Sequence, residues 1–221
     1  MPINIAIDGP SGAGKSSLAK KIAKELGYIY VDTGAMYRSI ALFVIRQGVS
    51  CKDAKSVVSC LSDIELSISY IDGNQRVILN GEDVSDYIRT NEISMGASDV
   101  SAIPEVREFL LETQRQLARE KSVVMDGRDI ATVILPNADV KIFLTANDRC
   151  RAERRYAELV QKGMDVTLEG IYQDMVNRDK NDSTRKVAPA VCAEDAVVLD
   201  NTGFDEEQTL AAALDIIRKA L

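Results

Sequence analysis

The sequence predicts an α/β fold in which a doubly wound sheet of five parallel strands is flanked by helices. One observation is a set of five short apolar runs typical of buried strands, at residues 3–7, 28–31, 122–125, 140–144 and 196–199. Another is the helical character of segments between and after them, at 34–47, 52–62, 104–120, 148–162, 167–180 and 206–220. Because ligands bind at the carboxyl edge of such a sheet, functional residues are expected where the strands end.

A glycine-rich loop follows the first strand and matches the phosphate-binding pattern G-x-x-x-x-G-K-[ST] at every fixed position. Behind it, Leu18, Ile22 and Leu26 recur at helical spacing, so strand, loop and helix stand in the order that the motif requires. Backbone N–H groups would cradle phosphate oxygens, Lys15 would reach the terminal phosphates and the Ser16 hydroxyl would ligate Mg²⁺. The residues assigned to this nucleotide site are Gly9, Pro10, Ser11, Gly12, Ala13, Gly14, Lys15, Ser16 and Ser17.

The composition is that of a globular protein with a full hydrophobic core. The chain has 221 residues, of which 46% are hydrophobic and 28% charged, enough for one domain with an insertion. A net charge of -7 argues against nucleic acid or an anionic membrane as a partner, because both need a dominant basic surface. Any bound phosphate must therefore be held by local cations.

The chain contains no histidine, which removes the Ser-His-Asp triad, the Cys-His pair and a histidine general base. Its chemistry would depend on carboxylates, arginines, lysines and a metal. The four cysteines, Cys51, Cys60, Cys150 and Cys192, have no C-x-x-C spacing and indicate reduced packing residues. With no signal-like segment at the N-terminus and no long apolar run, a cytoplasmic protein is expected.

Charged residues also follow the second and third predicted strands. After the second strand, Thr33 can cap the next helix, and Arg38 would lie in the first turns of that helix, one strand away from the loop. After the third strand come Asp126, Arg128 and Asp129. Two interpretations of Asp126 stay open: it orders the metal shell, as a carboxylate after a buried strand does in many nucleotide hydrolases, or it positions Arg128 or the acceptor.

Residues from about 64 to 88 interrupt the alternation of strands and helices. Residues 65–70 and 76–80 alternate polar and apolar side chains around a turn at 72–74, which predicts an antiparallel hairpin. We interpret the surrounding region, approximately 62–100, as a small inserted subdomain. The polar, charge-rich segment 180–185 is predicted to be a mobile loop.

Several arginines are concentrated in the last third of the chain. They are Arg149, Arg151, Arg154, Arg155, Arg178 and Arg185. A charged helix face is often only solvated, but phosphoryl transfer requires neutralisation of the phosphoryl oxygens and little covalent chemistry from the protein. Arginine suits phosphate because its planar, permanently charged guanidinium binds two oxygens at once. The collective pattern favours a phosphotransferase.

Segments 8–16, 32–38, 126–133, 178–179 and 185–189 together resemble the bacterial cytidylate kinase family, over essentially the whole chain and including the insertion at 80–85. The resemblance implies a P-loop NTPase fold with an inserted nucleoside monophosphate-binding subdomain, near 62–100, and a lid, near 150–185. It also implies transfer of the γ-phosphoryl group of ATP to CMP or dCMP with Mg²⁺, in a protein that we expect to be a monomer.

The same resemblance assigns roles to individual residues. Arg38, Arg128 and Arg178 would contact the CMP phosphate, and Arg178 and Asp182 would contact the ribose. The cytosine would be surrounded by Thr33, Ser98, Arg107 and Asp129, with Asp126 also counted in the CMP site. Arg151, Arg154 and Arg155 would belong to the lid over ATP, with Arg154 as an ATP ligand. The catalytic set would be Lys15, Arg128, Arg178 and Arg185.

Two other functions fit a phosphate-binding loop. A nucleotide-dependent switch of the GTPase kind predicts an N-K-x-D segment that reads guanine, and the sequence has none. A kinase of another small acceptor would keep the loop and the lid but need a different acceptor pocket. Only the resemblance at Thr33, Ser98, Arg107 and Asp129 argues against it.

Overall fold

The computed structural model describes residues 1–71, 73–161 and 163–221. Its strands are β1 (Asn4–Asp8), β2 (Ile29–Asp32), β3 (Leu66–Ile71), β4 (Asn74–Leu79), β5 (Glu82–Asp83), β6 (Val123–Asp126), β7 (Val140–Thr145) and β8 (Val197–Asp200). The α-helices are α1 (Lys15–Leu26), α2 (Thr33–Arg46), α3 (Ala54–Cys60), α4 (Asn91–Ser101), α5 (Pro104–Glu120), α6 (Asp148–Gln161), α7 (Leu168–Thr184) and α8 (Glu206–Ala220). Two 3₁₀ turns, Leu61–Asp63 and Tyr87–Arg89, and a π-helix, Ile130–Ile134, complete the described elements.

Five strands form one parallel sheet in the order β2-β6-β1-β7-β8. The predicted five-stranded parallel sheet is therefore confirmed, with strand positions within a few residues of those expected. In register, Ile7 of β1 lies beside Asp126 of β6, and Asp126 lies beside Asp32 of β2. The carboxyl ends of β1, β2 and β6 thus meet at one edge, as parallel strands require.

The core is divided between the two faces of this sheet. On one face α1 and α8 pack on the sheet through side chains such as Ile22, Ile142 and Ile217. On the other face α5 and the π-helix cover Met125 and its neighbours. A further cluster joins α2 to the insertion through Ile40 and Val77. The insertion is therefore anchored on α2, the helix that follows β2.

The insertion contains an antiparallel sheet of three strands, β3-β4-β5. The predicted hairpin is confirmed, with Leu66 opposite Leu79 and Ile71 opposite Asn74. Asp72, part of the predicted turn, lies outside the described residues. Helix α4, which lies almost entirely within residues 62–100, has no counterpart among the predicted helices. The assignment of this region as a substrate-binding subdomain stays a prediction.

The predicted loop at 180–185 is wrong for nearly all of its length, because α7 continues to Thr184. The hydroxyls of Ser183 and Thr184 donate to the backbone oxygen of Lys180, and Asp182 is buried, so polar residues here still form a helical turn. Helix α6 ends at Gln161, and Lys162, the last residue of that predicted helix, lies outside the described residues. None of the described helices is both long enough and apolar enough to span a membrane.

Candidate functional site

The glycine-rich loop lies between β1 and α1, at the carboxyl edge of the sheet. Gly9 has φ of 144°, and a Cβ there would lie 2.0 Å from the backbone oxygen of Leu144. A Cβ on Gly12, with φ of 71°, would lie 2.6 Å from the terminal methyl group of Met175. Both positions therefore require glycine, because both have a left-handed backbone and, at Gly9, the backbone of β7 leaves no room for a Cβ. The loop is tightly packed on the sheet and on α7.

Lys15 begins α1 and is buried, with 6% of the residue exposed. Its Nζ donates to the backbone oxygen of Pro10 at 2.6 Å, which holds the side chain along the loop. Burial lowers the pKa of the ammonium well below its ordinary value, and the charge of Arg128 lowers it further. A phosphate anion placed beside it would reverse this effect, because an opposite charge favours the protonated amine.

Asp126 ends β6 and faces the start of α1. Its carboxylate accepts hydrogen bonds from the Ser16 hydroxyl at 2.8 Å and the Tyr30 hydroxyl at 2.9 Å. Its backbone oxygen accepts from the Thr33 hydroxyl at 2.8 Å. Burial, followed by the charge of Asp32, raises the pKa of Asp126 to about 6.

Ser16 and Asp126 supply neighbouring oxygen atoms, which is the donor chemistry that Mg²⁺ prefers. Among the described residues, no group of three or more His, Cys, Asp or Glu side chains could hold a metal ion. A site with few protein ligands fits Mg²⁺ bound mainly through phosphates and water. Since Asp126 contacts Ser16 rather than Arg128, the geometry favours the metal-side interpretation of this carboxylate over the acceptor-side one.

Three arginines from different elements converge near Lys15. Arg38 lies on α2, Arg128 follows β6 and Arg178 lies on α7, and all three line one cleft. The buried Nε atoms of Arg38 and Arg178 have no hydrogen-bond acceptor within the part of the chain that the structure describes. The Arg178 side chain is mostly buried, with 26% exposed. The pKa of Arg178 is lowered to about 10, with burial as the largest cause and the charge of Arg128 as the next. Three guanidinium groups that line one cleft, two of them without an acceptor at Nε in the described residues, are suited to an anion.

Two carboxylates partly balance these arginines. Asp32 accepts from Nη2 of Arg38 at 2.8 Å. Asp182 accepts from Nε of Arg128 at 3.1 Å and lies 4.0 Å from Nε of Arg178. Lys15 and the three arginines form the cationic centre of the cleft, and the carboxylates that act on them are those of Asp32, Asp126, Asp179 and Asp182. A phosphate bound there would place its negative charge beside four cations.

A smaller cavity of about 440 Å³, a volume that includes open solvent, adjoins the cationic centre. In it, Arg107 lies over the Tyr37 ring at 5.4 Å, donates to the Ser101 backbone oxygen at 3.1 Å and forms an ion pair with Asp129. Arg185 lies 3.5 Å from the other Asp129 oxygen. The cavity thus combines apolar walls with a few polar groups that are ordered by buried ion pairs, as in most small-molecule sites.

Further predicted residues complete the walls of this cavity. They are Thr33, Ser98, Asp182 and Arg185. The Ser98 hydroxyl donates to Asp182 at 3.4 Å. Arg185, predicted as a member of the catalytic set, lines this smaller cavity and donates to the Ala188 backbone oxygen at 2.6 Å. Its catalytic role stays a prediction.

The phosphate loop opens into a larger cleft of about 2420 Å³, which includes open solvent. The cleft and the smaller cavity share four wall residues, Gly34, Gly127, Arg128 and Arg178. A ligand in each would therefore meet at the two arginines. Arg154 and Arg155 line the far side of the cleft, where Arg154 donates to the backbone oxygens of Asn201 and Phe204.

An ion pair between α6 and α7 holds the phosphate loop from outside. Asp179 accepts from the Ser11 backbone N–H at 2.8 Å, and Arg151 donates to the Ser11 backbone oxygen. Arg151 and Asp179 also contact each other at 2.6 Å. Both polar backbone groups of one loop residue are thus bound by one ion pair. Arg151 was predicted to belong to the lid over ATP, and that role stays a prediction. The contact of Asp179 with the loop was not predicted.

Asp8 is a second buried carboxylate that sequence reasoning left without a role. Its two oxygens accept from the backbone N–H groups of Ile130 at 2.9 Å and Ala131 at 2.8 Å. These groups begin the π-helix directly after Asp129, so Asp8 fixes the segment that presents Arg128 and Asp129. In the sequence, the position of Asp8 at the end of an otherwise apolar strand is the signal that could have indicated a role.

The Asp8 carboxyl is expected to titrate near pH 6 in the folded protein, because burial raises its pKa to about 6. The folded state then holds this proton more tightly than the unfolded chain. Stability from this group is therefore greatest below pH 4, and about 3 kcal/mol is lost as the pH rises to 6. Carbon-13 NMR of the assigned carboxyl should give a midpoint near pH 6, whereas a midpoint near pH 4 would contradict the placement of this side chain.

Comparison with known proteins agrees with this geometry. The family model for cytidylate kinase matches residues 5–219. A cytidylate kinase from Caldicellulosiruptor bescii is 51% identical over 219 residues, covering 99% of this chain and 97% of the relative. One from Caldanaerobacter subterraneus subsp. tengcongensis is 49% identical, covering 99% and 96%.

The fold also resembles solved structures. An uncharacterized protein from Eubacterium ventriosum has a TM-score of 0.52 at 14% identity, covering 99% of this chain and 97% of that chain, which shows similarity of fold alone. The parallel sheet, with its phosphate loop between β1 and α1, is that of the P-loop NTPases. Taken with the family model and the relatives, the chain belongs to the cytidylate kinase family.

Proposed function

We propose that this protein transfers the γ-phosphoryl group of ATP to CMP and dCMP with Mg²⁺, giving ADP and the corresponding diphosphate. The observation that carries the proposal is the pair of adjoining cavities whose common wall contains Arg128 and Arg178. One cavity has a few buried polar groups suited to the edge of a base, and the other contains the phosphate loop. The two arginines lie where the phosphate of one ligand and the terminal phosphate of the other would meet.

On the donor side, the loop N–H groups and Lys15 would bind the β- and γ-phosphates of ATP. Ser16 and Asp126 would hold Mg²⁺, which neutralises charge on the phosphate oxygens when it is bound. The ion pair of Arg151 and Asp179 supports this assignment, because it keeps the loop in one conformation. Residues 150–185, which include α7 and most of α6, would cover the donor and exclude water.

On the acceptor side, Arg38, Arg128 and Arg178 would bind the CMP phosphate. That phosphate is itself the nucleophile and is largely ionised at neutral pH, so no general base is required. The lack of histidine agrees with this requirement. The arginines would bring two highly charged phosphates together and offset their repulsion. Residues 62–100 would cover the acceptor as the inserted subdomain.

Cytosine selection would depend on the smaller cavity. Ser98 and Asp129 can accept a hydrogen bond from the exocyclic amino group, and Arg107 can donate to the ring carbonyl and nitrogen. Uracil presents a carbonyl where cytosine presents the amino group. That carbonyl has no hydrogen to donate to the oxygens of Ser98 and Asp129, so the contact would raise the free energy of the bound complex and disfavour UMP.

Asp129→Ala is expected to reduce the preference for CMP over UMP, measured as the ratio of kcat/KM values, by about 10–100-fold. The reason is that the variant no longer provides an acceptor that only cytosine satisfies. Asp215→Ala is a matched control, because Asp215 is an exposed carboxylate paired with Lys219 on α8. An unchanged CMP to UMP ratio in Asp129→Ala would remove Asp129 from the base site.

The proposed function is tested by ADP release with Mg·ATP and each of CMP, dCMP, UMP, AMP and GMP, together with a reaction lacking acceptor. We expect turnover mainly with CMP and dCMP. Turnover with none of these nucleotides would favour a kinase of another small acceptor. ADP release that is independent of acceptor would instead favour a nucleotide-dependent switch.

A further inference from the structure

The hairpin of the insertion contacts the exposed edge of the main sheet. Strand β2 is an outer strand, so one side of its backbone has no neighbouring strand in that sheet. Gln75 of β4 accepts from the Asp32 backbone N–H at 2.8 Å and donates to the Asp32 backbone oxygen at 3.2 Å. Tyr70 of β3 donates to the Tyr30 backbone oxygen at 3.2 Å. The hairpin thus binds two alternate residues of the β2 edge.

Asp32, the residue that Gln75 contacts, also contacts Arg38, the arginine proposed to bind the phosphate of the acceptor nucleotide. One oxygen of the Asp32 carboxylate accepts from the Ala35 backbone N–H at 2.9 Å and caps α2. The other accepts from Arg38 at 2.8 Å. Only 14% of the Asp32 side chain and 18% of the Arg38 side chain are exposed. The contacts therefore run without interruption from Gln75 through Asp32 to Arg38.

The form of the contact makes Gln75 difficult to replace. A single amide side chain satisfies both polar backbone groups of Asp32, one as acceptor and one as donor. Glutamate could accept but not donate, and it would bring a second carboxylate near that of Asp32. The hairpin therefore determines the position of Asp32 through one specific side chain.

We propose that Gln75 is a positioning residue, which fixes Asp32 and thereby holds Arg38 in place for the phosphate of the acceptor nucleotide. This rests on the proposed function, in which Arg38 binds the CMP phosphate. It adds that the insertion acts on acceptor binding from outside the cleft, because Gln75 does not line either cavity. A hairpin that only covers the strand edge would affect stability without affecting one substrate selectively.

Gln75→Ala is expected to raise KM for CMP about tenfold while KM for ATP changes less than about twofold, because loss of the two hydrogen bonds frees Asp32 and Arg38. Ser67→Ala is the matched control, since Ser67 is an exposed residue of the same hairpin. Equal rises in both KM values, or lower thermal stability with unchanged KM values, would overturn the proposal.

A double-mutant cycle tests the path through Arg38. In the Arg38→Ala background, Gln75→Ala should change KM for CMP by less than about twofold, because the residue through which it acts is already absent. A full tenfold effect in that background would show that Gln75 acts by another route and would overturn the proposal.

A measurement without substrate separates this inference from the proposed function. The NMR resonance of the Arg38 Nε–H group in Gln75→Ala should shift relative to the wild type, and that in Ser67→Ala should not. If the resonance shifts in Gln75→Ala but the wild-type protein does not phosphorylate CMP, the positioning of Arg38 by Gln75 is supported and the proposed function is contradicted. An unchanged resonance would overturn the positioning role whatever the substrate.

Discussion

Lys15→Ala is expected to lower kcat/KM for phosphoryl transfer by about 10³-fold. Lys15 is the buried cation of the phosphate loop, held by the Pro10 backbone oxygen and close to Asp126. Charge that develops on the transferring group would be stabilised by this ammonium in a site with little water, where its effect is larger than at a surface. Steady-state rates with CMP as acceptor measure the loss.

Lys24→Ala is the matched control for Lys15, because Lys24 is an exposed lysine of the same helix α1. It should keep wild-type activity. Circular dichroism and thermal unfolding should show that Lys15→Ala is folded. The reason is that Asp126, a carboxylate close to Lys15, keeps its hydrogen bonds from Ser16 and Tyr30 in the variant. A folded Lys15→Ala protein with near-wild-type kcat/KM would contradict the assignment of the loop.

Arg178→Met is expected to lower kcat/KM for CMP by at least about 10²-fold without lowering the free energy of unfolding. Burial and the charge of Arg128 lower the pKa of Arg178, and its buried Nε has no acceptor in the described residues. Methionine keeps much of the side-chain volume of arginine and removes the charge repulsion with Arg128. Asp182 retains Arg128 as a partner at 3.1 Å. The guanidinium is therefore expected to contribute to function and not to stability.

Measurement of kcat/KM and of urea unfolding on the same preparation tests this prediction. Arg149→Met is the matched control, because Arg149 is exposed and pairs with Glu153 one helical turn away on α6. It should change neither quantity by much. A large loss of stability in Arg178→Met with little change in activity would mean that Arg178 is structural and that the cationic centre does not bind the acceptor.

The sheet and the phosphate loop could be predicted from the sequence because their signals are local. Buried parallel strands are continuous apolar runs, and the loop is a run of fixed residues between a strand and a helix. Arg128 and Asp129 could be placed because residues after a strand must lie at the carboxyl edge. The resemblance to a known family supplied their separate expected roles.

Contacts between distant segments could not be predicted in this way. Asp179 contacts Ser11 across 168 positions of the chain, and Gln75 contacts Asp32 across 43. Neither contact has a local pattern, because each joins a polar side chain to a backbone group. The segment 180–185 was wrongly predicted as a loop because its polar residues look solvent-exposed, whereas Asp182 is buried against Ser98 and Arg128.

The most direct test of the central claim follows the phosphoryl group itself. With ATP labelled at the γ-phosphorus, Mg²⁺ and CMP, the label should appear in the β-phosphate of CDP and not in inorganic phosphate. The same result is expected with dCMP, and little transfer is expected with UMP. Label recovered mainly as inorganic phosphate, or equally in CDP and UDP, would contradict the account of two cavities that meet at Arg128 and Arg178.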